Sequence, residues 1–238
     1  MARKLIFEIP HYYIKLIDVK KETEDTYTYN FELPEGVDWK EGAHTHFVIP
    51  KEEVSKRSVR HLSLISFPKD NKISFTTRFR GELSFFKERL QNMQKDHELL
   101  VAGFVRSIGL IREERPLVFI SQGVAIATIH SLLRAYEEDN SGIEAIESVN
   151  IDSKAFIYKD EFEKYQKKLP NFTHKYLENR GEFYKNLDEI TGKYENRAYY
   201  YVLGSYDFIE YVSKYLENKS IQDIVTDTHK SPYKGKFI

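Results

Sequence analysis

The stretch Arg60-His61-Leu62-Ser63-Leu64-Ile65-Ser66-Phe67-Pro68 decides how this chain is read, together with Gly81-Glu82-Leu83-Ser84 about twenty residues on. The first run reads as a β-strand. Arg60 presents a fixed positive fork suited to a phosphate, and Ser63 a hydroxyl that both donates and accepts. On a regular strand the two point to opposite faces. The second run is a glycine turn that opens a helix, GELSFFKERL, and the free N–H groups of a helix start favour an anion. Each group alone has an ordinary explanation, a solvated strand-edge arginine or a turn with an N-cap. A basic strand and a helix start in one domain together suit a ligand that carries a pyrophosphate.

Working outward, 238 residues give room for two modest domains or one large one. Hydrophobic residues make up 41%, and the 17 Tyr and 16 Phe supply much of the core. A formal charge of −1 argues against a general nucleic-acid binder. The lack of cysteine excludes disulfides, thiolate metal sites, a cysteine nucleophile and a cysteine-ligated iron–sulfur cluster. MARKLIFEIPHYY holds too short an apolar run for a signal peptide, and no apolar stretch is long enough for a bilayer. The expectation is a soluble, cytoplasmic protein that binds neither nucleic acid nor membrane.

Short strands dominate the first half: YYIKLIDVKKE, TYTYNFEL, a third after Gly42, SVRHLSLIS, KISFTTRF and HELLVAGF, with ELSFFKERLQNMQKD as a helix. That pattern predicts a small antiparallel barrel. After Arg115-Pro116 the pattern changes. LVFIS is continuously apolar, and GVAIATIHSLLRAY follows at helical period. Strand and helix then alternate through IEAIESVNI, KDEFEKYQKKL, NFTHKYL, EFYKNLDEITGKY, RAYYYVLG, YDFIEYVSKYLENK and IQDIVTD. Such alternation predicts a parallel sheet that binds ligands at the carboxyl ends of its strands. The expected fold class is α+β with two domains, an antiparallel β-barrel over residues 1–110 and an α/β domain over 111–238, with the boundary near 106–115.

Taken in order, RHLS, ISFTTRF, GELS, LLVAGF, LVFISQGVAIAT and YYYVLGS resemble the ferredoxin–NADP reductase-like flavoprotein family. Within it the look is that of the reductase part of flavohaemoglobins and of small flavodoxin or ferredoxin reductases. The resemblance runs over roughly residues 11–235 and rests on the order of several motifs. It implies that Arg60 contacts the flavin phosphate, that Leu62 stands where the family packs a tyrosine on the isoalloxazine ring, and that Ser63 lies near N5, with His61 in the same strand. Thr76, Thr77 and Arg78 would follow the ribityl and phosphate chain. Gly81, Leu83 and Ser84 match the phosphate turn, which favours FAD over FMN.

Gly123, Val124, Ala125, Ala127 and Thr128 align with the family's Gly-Gly-x-Gly-Ile-Thr-Pro turn for NAD(P)H, and one of its glycines is kept. Leu203-Gly204-Ser205 stands where the family has Cys-Gly-Pro, so that cysteine is absent and Gly204 is kept. This second region reads equally as a degenerate nicotinamide site or as a packed strand–turn–helix. In the tail, Tyr233 or Phe237 would cover the flavin, or the tail is frayed.

The implied activity is that of an FAD-dependent reductase passing electrons from NAD(P)H to an external acceptor, with Ser63 as the catalytic candidate. The alternative is a flavin-binding interaction or regulatory protein whose second domain has lost nicotinamide. His44-x-His46 puts two imidazoles on one strand face with no evident third ligand, so no metal is expected.

Overall fold

The protein is described here by a computed structural model whose described residues are 10–50, 58–228, 232–233 and 236–237. Residues 1–9, on which the signal-peptide reading rests, and Ser231, Lys234, Gly235 and Ile238 of the tail lie outside them. The chain divides into two compact units, one ending at Arg106 and the other beginning at Ser107. Among the described residues no helix is long and apolar enough to cross a membrane.

The first unit contains β1 (His11–Lys21), β2 (Thr26–Glu32), β3 (Ala43–Val48), β4 (Val59–Ser63), β5 (Lys72–Arg78), α1 (Phe85–Gln91) and β6 (Glu98–Arg106). They form an antiparallel sheet of order β4-β3-β6-β1-β2-β5. The period of two sorts the side chains. Tyr29 and Phe31 of β2 face Phe75 and Ile73 of β5, while Thr28 and Asn30 face Thr76 and Ser74 on the other side. The first set joins Phe47, Leu99 and Val101 in an aromatic-rich core, with the Phe47 and Phe75 rings 4.5 Å apart.

The sheet curls until its end strands meet. Just past β4, the Ile65 N–H donates to the Ser74 carbonyl at 2.9 Å, and the Ser74 N–H donates to Ser66 Oγ at 2.8 Å. α1 packs on this core with Phe86 and Leu90, each 1% exposed, and the Tyr29 hydroxyl donates to the Leu90 carbonyl. The helix is shorter than the sequence predicts. After Gln91 the chain turns so that Met93 packs on the core and the Asp96 N–H, at a left-handed φ of 68°, donates to the Leu16 carbonyl. Tertiary packing here overrides a helical pattern.

In the second unit β7 (Arg115–Gln122), β8 (Ile143–Ile151), β9 (Phe172–Leu177), β10 (Tyr199–Leu203) and β11 (Ile224–Thr226) form a parallel sheet of order β11-β10-β7-β8-β9. The helices are α2 (Ile126–Glu138), α3 (Lys159–Lys168), α4 (Arg180–Tyr194) and α5 (Tyr206–Asn218). β10 is buried along its whole length, as a strand covered on both faces must be. The order reverses between β7 and β10, which makes their carboxyl ends the switch point. Residues 107–110 are held by this unit: the Tyr201 hydroxyl donates to the Gly109 carbonyl and accepts from the Ile111 N–H.

β9 carries a buried histidine against α3. His174 stands 4.5 Å from the Phe162 ring and 4.2 Å from the Tyr176 ring, with Nδ1 2.9 Å from Ser148 Oγ. Its Nε2 is buried with no hydrogen-bond partner. Burial pushes this imidazole down to about 3. The unfolded chain binds a proton below the ordinary histidine value of about 6.5 while the folded chain does not. The stabilisation from neutral His174 is therefore complete above about pH 6.5 and lost as pH falls toward 3, at up to about 1.4 kcal/mol per pH unit. Thermal unfolding from about pH 7 down to about pH 5 should show a smaller loss for His174→Phe than for the wild type. Parallel pH profiles would contradict this.

Candidate functional site

None of the residues of β4 is fully buried, although its partner β3 is largely so. The register sets Arg60 opposite Phe47 and Leu62 opposite Thr45, both 0% exposed, while His61 and Ser63 oppose His46 and His44. Arg60 and Leu62 thus share the core-side face and His61 and Ser63 the other. Leu62 packs onto the core of the first unit. Among the described residues nothing hydrogen-bonds the Ser63 hydroxyl. The Arg60 guanidinium lies 5.9 Å from the Phe86 ring centroid of α1, and its Nη1 donates to the Val59 carbonyl.

β5 is the other end strand, and its last residue is Arg78. Lys87 of α1 donates to the Arg78 carbonyl at 2.6 Å. Beyond the Ile65–Ser74 bond, then, the seam between the end strands gathers Arg60, Arg78 and Lys87 from β4, β5 and α1. Burial, and then the charges of Arg60 and Arg78, hold Lys87 below the ordinary lysine value. Arg78 also donates from Nε to Thr26 Oγ1 at 2.9 Å, and both Arg78 and Arg80 pair with Asp25, at 3.3 and 3.2 Å. Burial alone would raise the Asp25 carboxyl, but the Thr26 hydrogen bond and these two arginines hold it below its usual range.

The turn into α1 leaves room for a ligand. Gly81 has φ of 65°, where a side chain is strained, and a Cβ there would meet nothing within 4 Å. Leu83 and Ser84 are half-buried. Ser84 is the N-cap residue, yet its hydroxyl makes no capping bond. With seven residues α1 is too short for its dipole to dominate. The anion site expected at the helix start therefore rests mainly on side chains. Thr76 and Thr77 are both buried in the β2–β5 pair. Thr76 Oγ1 is 2.7 Å from Thr28 Oγ1, and Thr77 lies opposite Tyr27.

His44, His46 and His61 cluster on the outer face, with the His46 and His61 rings 3.9 Å apart. No group among the described residues is arranged to hold a metal.

At the switch point of the second unit, β7 ends in Gln122 and a tight turn over Gly123–Ala125 leads into α2. Gly123 has φ of 58°, which requires glycine, whereas Ala125 is in the right-handed region at −64° and does not. Val124 is half-buried at the turn. Ala127 and Thr128 are each 5% exposed and pack inward from the first turn of α2. A Cβ on Gly204 would come 2.7 Å from the Phe208 ring and 3.1 Å from Gln122 Cβ. The Ser205 hydroxyl donates to Gln122 Oε1 at 2.9 Å and accepts from the Phe208 N–H. The crevice is bridged by the chain's own side chains.

Tyr233, expected beside a flavin, donates instead to the Asp223 carboxylate and meets the Tyr199 ring edge-on at 5.7 Å. Arg115 stacks 4.0 Å over that same Tyr199 ring. Arg115 and Tyr199 begin β7 and β10, so Tyr233 clasps the sheet end opposite Gly123 and Gly204. Sequence reasoning missed Lys87, Asp25 and Gln122. Lys87 could have been found three residues past Ser84, on the helix face that turns back toward β5.

No family model and no curated protein matches the sequence. Solved structures do. The flavohemoglobin of Malassezia yamatoensis with bound FAD and heme superposes with a TM-score of 0.76 at 14% identity, over 94% of this chain and 62% of that one. The chain thus spans less than two thirds of that protein. A ferredoxin NADP+ reductase from Neisseria gonorrhoeae with bound FAD and NADP gives 0.74 at 13% identity, over 91% and 97%. The ferredoxin-NADP+ reductase of Plasmodium falciparum with 2'P-AMP gives 0.72 at 17%, over 89% and 94%. The chain has the two-domain fold of the ferredoxin–NADP+ reductases.

The contact at Gly204 is testable without any ligand. Gly204→Ala should destabilise the protein by about 1–3 kcal/mol in urea unfolding, the range for overpacking. Phe208→Leu in the same chain should make the combined loss smaller than the sum of the two. Strict additivity would show that Phe208 does not confine Gly204.

Proposed function

We propose that this protein is a flavin-dependent oxidoreductase. The first unit binds FAD, the carboxyl ends of β7 and β10 take a nicotinamide nucleotide, and electrons leave to an acceptor outside the chain, a protein or a small molecule. The observation that carries the reading is the convergence of Arg60, Arg78 and Lys87 at the barrel seam, on a fold whose solved examples include FAD and NADP complexes. The residues fit the cofactor. The cations suit a pyrophosphate, the open space at Gly81 admits close approach, and Ser84 keeps its hydroxyl. The half-buried β4 sets the apolar Leu62 on the same face as Arg60. A bound flavin supplies hydride and single-electron chemistry that no side chain can. In this reading Arg60 would hold a phosphate, and Ser63, at the end of β4, would serve the flavin ring near N5.

A second reading has its own observation. The Gln122–Ser205 bridge and the Phe208 ring at Gly204 fill space that a nicotinamide nucleotide would need. If they stay in place the protein is a flavin-binding interaction module, and no nicotinamide reduces it.

Both readings meet in one experiment. Anaerobic NADH or NADPH added to FAD-loaded protein should bleach the oxidised flavin, with saturation at high nucleotide concentration. Full FAD loading with no bleaching by either nucleotide favours the second reading. Arg60→Ala should weaken FAD binding by roughly 1.5–3 kcal/mol, the range for a charge-assisted hydrogen bond; unchanged retention removes Arg60 from the site. Ser63→Ala should slow flavin reduction while leaving flavin content nearly intact, because only an interaction that differs between ground and transition states changes the rate. Overlaying stopped-flow traces would count against it.

A further inference from the structure

Lys87 belongs neither to the strand motif at Arg60 nor to the glycine turn at Gly81, yet the fold brings it between them. Its stem leaves α1 beside Phe86, whose ring lies under the Arg60 guanidinium at 5.9 Å. An ammonium has three donors. One goes to the Arg78 carbonyl at 2.6 Å, and among the described residues the other two have no protein acceptor. The nearest charges are alike in sign: Arg60 on β4 and Arg78 at the end of β5, and both act on Lys87. Among the described residues, Arg80, just past β5, and Asp25, just before β2, stand beside Arg78, with Asp25 shared between Arg78 and Arg80. A half-buried cation held against two others by the fold is favourable when an anion joins them.

We propose that Lys87 is a direct ligand of the cofactor's pyrophosphate, a third cation of the site alongside Arg60 and Arg78. The proposal rests on the FAD reading above and names a residue that the reading does not require. An ammonium binds phosphate as a point charge, so the contribution belongs to the phosphates and not to the ring. It also disappears once Lys87 loses its proton, and burial, and then the charges of Arg60 and Arg78, bring that loss below the ordinary lysine value.

The experiment compares wild type and Lys87→Met, which keeps most of the stem, by titrating apo protein with FAD and with riboflavin. FAD affinity should fall roughly ten- to a hundred-fold, the equivalent of one charged hydrogen bond, and riboflavin affinity should not move. Wild-type FAD affinity should decline with rising alkaline pH, and the Lys87→Met profile should be flatter. Equal FAD affinity in the two proteins overturns the proposal, as does an equal loss for FAD and riboflavin, which marks a structural role. If the variant does not fold, a wild-type FAD affinity that is flat with alkaline pH overturns it by itself. Should the wild type bind no flavin, the FAD reading fails first, and inorganic pyrophosphate becomes the probe. Pyrophosphate binding that Lys87→Met abolishes keeps the anion ligand, and no pyrophosphate binding by the wild type overturns it.

Discussion

Three positive charges are held together where the first and last strands of a curled sheet meet. Arg60 and Arg78 come from the two end strands and Lys87 from the helix packed on the same core. Like charges do not gather on their own. They are forced together because Phe86 and Leu90 must be buried, because Ile65 and Ser66 bond to Ser74, and because the aromatic core fixes the register of β5 on β2. Hydrophobic burial supplies the driving force for that arrangement, and the repulsion among the cations is a local cost of holding them there. Asp25 relieves part of that cost by pairing with Arg78, and an anion bound among the three cations would relieve more of it.

The second unit shows the opposite condition. Its sheet reverses its strand order between β7 and β10, as nucleotide-binding folds do, and Gly123 holds a left-handed turn at the carboxyl end of β7. The space beside Gly204, however, is taken by Phe208 and Gln122, and Ser205 closes the gap with a hydrogen bond. That bond is exposed, so its strength is modest. Phe208 is the larger obstacle, because moving a packed ring costs more than breaking one surface hydrogen bond. The same glycine that looks like a ligand feature in the sequence is already explained by the chain's own packing.

Much of the fold was legible because it follows from periodicity. The alternation of β2 and β5, the apolar run of β7 and the helical period of α2 and α5 each correspond to an element in the structure. What was not legible depends on contacts far apart in sequence. α1 stops at Gln91 because Asp96 bonds to Leu16. The sequence shows the Thr76 hydroxyl on its strand but not the Thr28 hydroxyl 2.7 Å from it across the β2–β5 pair. The sequence leaves Tyr233 as a flavin cover or part of a frayed tail, and does not show Asp223 at its hydroxyl and Tyr199 at its ring. Arg60 and Ser63 stand out in the sequence as a basic and a hydroxyl residue on one strand, and their opposite faces follow from strand geometry. Lys87 was not visible, because its role depends on which way a short helix packs.

Hydrogen exchange with and without FAD tests the central claim most directly, because it reads where on the chain the cofactor acts. The account predicts that FAD slows exchange in Val59–Ser63, in Lys72–Arg78 and in the turn from Gly81 into Phe85–Gln91, while the His11–Lys21 strand changes little. Protection absent from all three segments, or confined to the second unit, would contradict it.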